Sequence, residues 1–164
     1  MVGFVALLAA SSVLWLSVWA VAVPLLRGWS PMVVMSGSMG PAIDTGDIVI
    51  AAPYQGQELP LGSVIVFDDP SGPGRLIHRV VQVTPDRHYI TKGDANATND
   101  STSVAPEQVR GVGRILVPRA GLPFVWVSGG QWGHLAVAIV AVAVVFWMAR
   151  WVGGTKRVSP LVIS

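Results

Sequence analysis

The sequence predicts a mainly β protein, in which a small all-β domain is flanked by two transmembrane helices. Of its 164 residues, 52% are hydrophobic and only 12% are charged, whereas an ordinary soluble domain carries about 25% charged residues. The apolar residues are concentrated at the two ends of the chain, and the middle holds short runs rich in valine and isoleucine that turn residues separate. We therefore expect two lipid-embedded ends and one folded β domain between them.

The N-terminal apolar run extends from Val2 to Leu26 with few interruptions. As an α-helix it would be long enough to cross a hydrocarbon core about 30 Å thick. A cleavable secretory signal is the alternative, but this run is longer than the apolar part of such a signal, and neither lysine nor arginine precedes it. Residues 1–27 are therefore predicted to form a membrane anchor.

A second apolar run, Trp132 to Ala149, is also long enough to span a membrane, with a buried core helix as its alternative. Arg150, Lys156 and Arg157 follow it, and cationic residues just beyond a span favour the cytoplasmic side. We expect a multi-pass protein of the cell membrane. Its predicted parts after the anchor are an extracytoplasmic domain at 28–131, a transmembrane helix at 132–152 and a short cytoplasmic tail at 153–164.

Five segments of the middle region are predicted to be strands, because they are rich in valine and isoleucine and turn residues separate them. They are Asp47–Ala52, Ser63–Phe67, Leu76–Val83, His88–Thr91 and Val112–Val117. Strands at this spacing without intervening helices indicate a sandwich or a barrel-like fold. The apolar stretch Gly121–Val127 is either a final core strand or a segment in contact with the membrane.

The loop from Ser36 to Pro41 is the most informative stretch, since it places a hydroxyl among small residues and a Gly-Pro turn. A nucleophilic serine needs a tight, exposed turn and nearby donors for the oxyanion that forms on attack. Ser38 is the candidate nucleophile. Its own backbone N–H and the hydroxyl of Ser36 are the candidate oxyanion donors.

A serine hydroxyl is a poor nucleophile until a base takes its proton. His78 lies in a predicted strand, which is a rigid support for a base, whereas His88 lies beside a turn. The alternative base is Lys92. A catalytic histidine also needs an acceptor that fixes its tautomer, and Asp94 and Asp100 are available in a turn-rich loop; their other interpretation is that they cap turns.

Other classes of site are disfavoured by composition. The chain has no cysteine, which excludes disulfides and thiolate ligands, and the spacing of its histidines and aspartates matches no common metal site. The net charge of +2 comes without a basic patch, so nucleic acid is not an expected partner. We expect no metal and no cofactor.

Taken together, these motifs resemble signal peptidase I of the endoplasmic-reticulum type, the Ser-His-Asp form found in eukaryotes, archaea and some Gram-positive bacteria. The motifs that carry the resemblance, within residues 30–118, are Ser38-Met39-x-Pro41, Gly46-Asp47-Ile48-Val49, His78-Arg79-Val80, Lys92-Gly93-Asp94 and Asp100. The resemblance implies that Ser38 is the nucleophile, that His78 is the base and that Asp100 completes the relay, with Asp94 also functional. One departure is Ala95, where family members often carry asparagine.

The resemblance also implies a function: a membrane-bound serine endopeptidase that removes signal peptides from exported precursors at the outer face, cutting after small residues. The precursor is expected to bind as an extended strand along edges at Met35–Ser38 and at the strand from Leu76. The residues predicted to contact it in a shallow apolar pocket are Met35, Met39, Ile43 and Ile77. A β domain that binds exported peptides without cutting them is the competing hypothesis. Further partner subunits are left open.

Overall fold

Six strands form one antiparallel sheet in the computed structural model, which describes residues 11, 12, 15, 19 and 22–153 apart from the side chains of 149 and 151–153. The strands are β1 (Ser30–Val33), β2 (Ile48–Pro53), β3 (Val64–Asp68), β4 (Arg75–Val83), β5 (Tyr89–Lys92) and β6 (Val109–Val117). Their order across the sheet is β1-β2-β6-β3-β4-β5. The β character of the domain is confirmed, since all five predicted strands are present and β1 is additional.

The chain divides into two units, Met1–Leu122 and Pro123–Ser164. The first contains the whole sheet. Most of the predicted N-terminal anchor lies outside the described residues, although residues 22–26 are helical. The predicted cytoplasmic tail lies outside the described residues from 154 onward.

The sheet buries two groups of apolar side chains. The larger group packs around Phe67 and Tyr89, which are almost completely buried. Burying one such side chain contributes about 1.5–3 kcal/mol to folding. The smaller group consists of Val34, Met39, Ile43 and Val49. Because Met39 belongs to this core, its burial fixes the loop that carries Ser38 to the body of the domain.

The second unit is helical where it is described. Helix α1 extends over Leu122–Ser128 and helix α2 over Trp132–Gly153. The prediction of a core strand at Gly121–Val127 is therefore wrong. Pro123 lies in the first turn of α1, where its fixed φ suits a helix. Gly130 follows the helix with a φ of 68°, in the left-handed region that commonly ends helices.

Helix α2 covers the second predicted span, and its apolar side chains are exposed, for example Val137, Val142 and Phe146. The interpretation of this run as a buried core helix is therefore wrong. Within the part of the chain that the structure describes, no helix has both the length and the apolar character that crossing a membrane requires. The two transmembrane helices stay predictions.

Candidate active site

A chain of hydrogen bonds joins a serine, a histidine and an aspartate on three separate segments of the domain. The Nε2 atom of His78 lies 3.3 Å from the Oγ atom of Ser38. On the other side of the ring, Nδ1 lies 2.6 Å from the Oδ2 atom of Asp100. Ser38 lies in the loop after β1, His78 in β4 and Asp100 in the loop after β5. The fold thus brings together three residues that are 40 and 22 positions apart in the sequence.

The histidine is held rigidly, as a base should be. His78 is only 7% exposed and pairs with Ile65 of β3 in the sheet. The ring of Phe67 meets the imidazole edge-on, with the two centroids 6.2 Å apart. Strand pairing and ring packing therefore leave the imidazole little freedom to turn away from Ser38.

The carboxylate of Asp100 is positioned by β5. Its Oδ2 atom also accepts a hydrogen bond of 2.6 Å from the hydroxyl of Thr91, and the backbone N–H of Asp100 donates to the carbonyl of Thr91. When the carboxylate accepts the proton on Nδ1 of His78, Nε2 is left as the acceptor. That tautomer can take a proton from the hydroxyl of Ser38.

Ser36 lies beside the candidate nucleophile. Its Oγ atom is 3.3 Å from the Oγ atom of Ser38, and its side chain is exposed. A hydroxyl at this position is close enough to reach an oxygen that develops negative charge next to Ser38. The role of Ser36 as an oxyanion donor stays a prediction.

Asp94 is placed differently from Asp100. Its two carboxylate oxygens accept hydrogen bonds of 2.8 and 2.6 Å from the Nε and Nη2 atoms of Arg79. The hydrogen bond from Arg79 lowers the pKa of the Asp94 carboxyl below its ordinary value. Arg79 also donates to the carbonyl of Gly62. Asp94 therefore joins its loop to β4 through an arginine, a contact that the turn-capping interpretation did not foresee.

The loop that carries Asp94 also holds the backbone of the candidate nucleophile. The N–H of Ala95 donates a hydrogen bond of 2.9 Å to the carbonyl of Ser38. A Cβ atom on Gly93 would lie 2.6 Å from the same carbonyl oxygen, so glycine is required for this approach. Because Ala95 acts through its backbone N–H, the departure from the family pattern at this position leaves the contact in place.

A cleft of about 110 Å³ lies beside Ser38. Three of the four residues predicted to contact substrate line it: Met35, Met39 and Ile77. Ile43 does not, since it packs in the smaller core and borders a separate cavity with Val49 and Val64. The placement of Ile43 in this cleft was therefore wrong.

Only one of the two predicted strand edges has strand geometry. β1 ends at Val33, Met35 is irregular, and the next three residues form a bend that leads into a turn. By contrast, the first half of β4 has a free edge among the described strands. Residues 75–78 pair with β3, whereas pairing with β5 begins only at Arg79. This free edge lies next to the cleft, because Arg75 and Ile77 line it.

The two other candidate bases lie away from this chain of hydrogen bonds. The backbone N–H of His88 bonds to Thr84 in the turn between β4 and β5. Lys92 ends β5, opposite Arg79. Among the described residues, the side chains hydrogen-bonded to the hydroxyl of Ser38 are Ser36 and His78. The geometry thus favours a histidine base over a lysine base.

A serine, a histidine and an aspartate in this hydrogen-bonded order form the arrangement that serine hydrolases use. The chain belongs to the family described as "Signal peptidase, peptidase S26", whose family model matches residues 7–107. The resemblance stated from the motifs is therefore confirmed.

Individual relatives agree with this assignment. The chain is 35% identical over 91 residues to signal peptidase I W of Bacillus subtilis (strain 168), covering 53% of this chain and 47% of the relative. It is 32% identical over 90 residues to the signal peptidase complex catalytic subunit SEC11C of Homo sapiens, covering 52% and 47% of the two chains. It is 28% identical over 120 residues to the catalytic subunit SEC11 of Lachancea thermotolerans, covering 65% and 70%. The matches to the first two relatives thus span about half of their length.

Proposed function

We propose that this protein is a membrane-bound serine endopeptidase of the signal peptidase I type, which removes N-terminal signal peptides from exported precursors at the outer face of the membrane. The observation that carries the proposal is the hydrogen-bonded chain from Ser38 through His78 to Asp100, within a member of the signal peptidase family.

The chemistry of the proposed reaction follows from this chain of hydrogen bonds. The Oγ atom of Ser38 attacks the scissile carbonyl while Nε2 of His78 takes its proton. Asp100 stabilises the imidazolium that results. The negative oxygen of the tetrahedral intermediate accepts hydrogen bonds from the N–H of Ser38 and the hydroxyl of Ser36. His78 then gives its proton to the leaving amine, and water hydrolyses the acyl-enzyme with the same histidine as base.

The substrate is proposed to bind as an extended strand along the free edge of β4 at residues 75–78, by strand addition. Its side chains then alternate between the cleft and solvent. Met39 is buried and Ile77 partly buried below the cleft. Their side chains leave little depth next to Ser38, which supports a preference for small residues before the cut.

The membrane placement is part of the proposal. It is supported by the two apolar runs, Val2–Leu26 and Trp132–Ala149, and by the exposed apolar side chains of α2. An apolar helix surface is stable in contact with lipid. We propose a multi-pass arrangement with the sheet domain outside and both termini inside, which would bring the cleft close to precursors whose signal helices are still in the membrane.

The proposed activity can be tested with the purified full chain and a synthetic precursor peptide that has small residues before the cut. The wild-type protein should cut once after a small residue. Ser38→Ala should abolish cleavage and leave the melting temperature nearly unchanged, because the hydrogen bonds of the Ser38 side chain to other described residues are two long ones of 3.3 Å.

Ser71→Ala is a matched control, since Ser71 is an exposed serine in the turn between β3 and β4, and it should retain full activity. Substantial cleavage by Ser38→Ala would contradict the proposed nucleophile. Peptide binding without cleavage by the wild-type protein would instead favour the non-catalytic hypothesis.

A further inference from the structure

The cleft beside Ser38 continues into a second cavity of about 190 Å³, because Met32 and Arg75 line both. The second cavity also borders Gly28 and Arg110. A peptide that lies along β4 from His78 toward Arg75 would therefore reach this cavity. The two arginines at the far end of this groove are not explained by the cleavage chemistry.

The charges around the second cavity do not balance. Arg110 donates to the Oδ2 atom of Asp68 through both Nε, at 2.8 Å, and Nη2, and this contact lowers the pKa of the Asp68 carboxyl. The Nε atom of Arg75 lies 3.8 Å from Oδ1 of the same carboxylate, which is longer than a hydrogen bond. Within the part of the chain that the structure describes, two guanidinium groups thus face one carboxylate, and one positive charge is left over.

Arg75 is the residue that carries the surplus charge. Its side chain is 49% exposed, and among the described residues its ion pair is the long contact with Asp68. Its guanidinium group therefore has donors available for an incoming acceptor, in the forked geometry that suits a carboxylate. Arg110 is already engaged by Asp68, so it supports the site by neutralising that carboxylate.

We propose that Arg75, supported by Arg110, forms a distal subsite that binds an acidic side chain of the substrate four to six residues before the cut. This inference rests on the proposed function. Arg75 lies three positions before His78 along β4, which corresponds to about 10 Å of extended chain. The long arginine side chain extends this reach by one or two residues.

The N-terminal flank of the substrate is assigned to this subsite because of Gly28. Gly28 borders the cavity and follows the first apolar run after one residue. The cavity therefore lies on the side of the domain next to the proposed anchor. The signal helix of a precursor would lie on that membrane side and precedes the cut.

The test compares peptides that are identical except for aspartate or lysine at the fourth, fifth or sixth position before the cut. We expect the wild-type protein to show kcat/KM values about two- to fivefold higher for aspartate at one of these positions, the size of effect typical of an exposed ion pair. The preference should weaken in 1 M salt, where the Debye length falls to about 3 Å.

Arg75→Gln should remove the preference, and Arg75→Glu should reverse it in favour of lysine. Arg87→Gln is the matched control, since Arg87 is an exposed arginine in the turn beyond the other end of β4. It should keep the wild-type preference. Equal cleavage of the aspartate and lysine peptides by the wild-type protein would overturn the subsite, and so would a preference that survives in Arg75→Gln.

Two further measurements distinguish a failure of the subsite from a failure of the proposed function and from lipid binding by Arg75. If the wild-type protein cuts no peptide, the proposed function fails, and the subsite is then tested by binding of the same peptides to Ser38→Ala protein. The subsite is supported if Ser38→Ala protein binds the aspartate peptide more tightly than the lysine peptide and if Ser38→Ala/Arg75→Gln loses this difference. Equal binding of the two peptides by Ser38→Ala protein overturns the subsite. If Arg75→Gln lowers cleavage of both peptides equally, and only with phosphatidylglycerol vesicles, Arg75 binds lipid phosphate and the substrate subsite is wrong.

Discussion

Replacing Asp100 and Asp94 by asparagine, one at a time, separates two carboxylates that lie six residues apart but make different contacts. In Asp100→Asn, the amide can still face Nδ1 of His78, but its NH₂ group would donate where the carboxylate accepted. The proton of the imidazole would then shift to Nε2, which can no longer accept the proton of Ser38. In triads of this kind the substitution lowers kcat about 10⁴-fold, which corresponds to about 5.4 kcal/mol of activation free energy.

Asp94→Asn removes the charge that Arg79 binds. The side chains of Arg79 and Asp94 are 31% and 19% exposed, so the ion pair is partly buried. An exposed ion pair contributes at most about 1 kcal/mol to stability, whereas disrupting a buried one costs about 3–5 kcal/mol. An intermediate loss of about 1–2 kcal/mol lowers the melting temperature of a domain of this size by roughly 5–15 °C. We expect kcat to fall only about tenfold, through the loosened loop that holds the Ser38 carbonyl.

The assay measures kcat at saturating peptide and the melting temperature of both variants and the wild-type protein, with Asp86→Asn as control. Asp86 is exposed in the turn between β4 and β5, and its replacement should change neither quantity. Asp100→Asn should be nearly inactive with a melting temperature close to wild type. If Asp94→Asn is instead the well-folded, inactive protein and Asp100→Asn is merely unstable, the two roles are exchanged.

Three other predictions concern the close contact of Gly93, the pH dependence of the Asp94 ion pair and the membrane topology. Gly93→Ala should lower kcat about 10- to 100-fold, since its Cβ would lie 2.6 Å from the Ser38 carbonyl oxygen and must displace it. Gly72→Ala, whose Cβ would meet no atom within 4 Å, should leave kcat unchanged. Equal kcat values for the two variants would disprove the close contact. Because the pKa of Asp94 is lowered by folding, its contribution to stability is present above its unfolded pKa of about 3.9 and is lost as the pH falls through the folded pKa. The difference in melting temperature between wild type and Asp94→Asn should therefore shrink below about pH 4, and a constant difference down to pH 2 would contradict this. The chain has no cysteine, so Gly72→Cys should react with an impermeant maleimide on intact cells while Ser159→Cys does not; the reverse pattern would invert the proposed topology.

The strands could be predicted because their local pattern agrees with their tertiary environment. β3 and β4 are runs rich in valine and isoleucine, and the centre of β3 is buried. β1 was missed because Pro31 lies in its middle, and proline lacks the N–H that a strand donates. The strand is nevertheless possible because β1 lies at the edge of the sheet, where one side of it has no partner among the described strands.

Helix α1 shows the limit of short apolar patterns. Seven residues are too few for the period of a helix to be distinguished from that of a strand. Pro123 and the glycines after Ser128 were the available signals, because proline favours the first turn of a helix and glycine its end.

The order of the motifs predicted which residues approach each other, but not which hydrogen bonds they make. Ser38, His78 and Asp100 were chosen from the sequence, and their hydrogen bonds were found only in the fold. The pairing of Asp94 with Arg79 could not be anticipated from the loop sequence, because it depends on the register of β4 against β5, in which Arg79 lies opposite Lys92. Arg75 was missed for a similar reason, since only the sheet places it next to the cleft.

His78 and Arg79 are neighbours on one strand, and neighbouring side chains of a strand point to opposite faces. When β4 pairs with β3, it therefore directs the candidate base toward Phe67 and Ser38 and the loop-binding arginine toward the opposite face. A slip of one residue would exchange the two faces, leaving a guanidinium beside Ser38 and an imidazole beside Asp94. A chain folded in the wrong register would then have no catalytic activity, rather than an altered specificity. Catalytic turnover therefore reports whether β4 has paired correctly with β3.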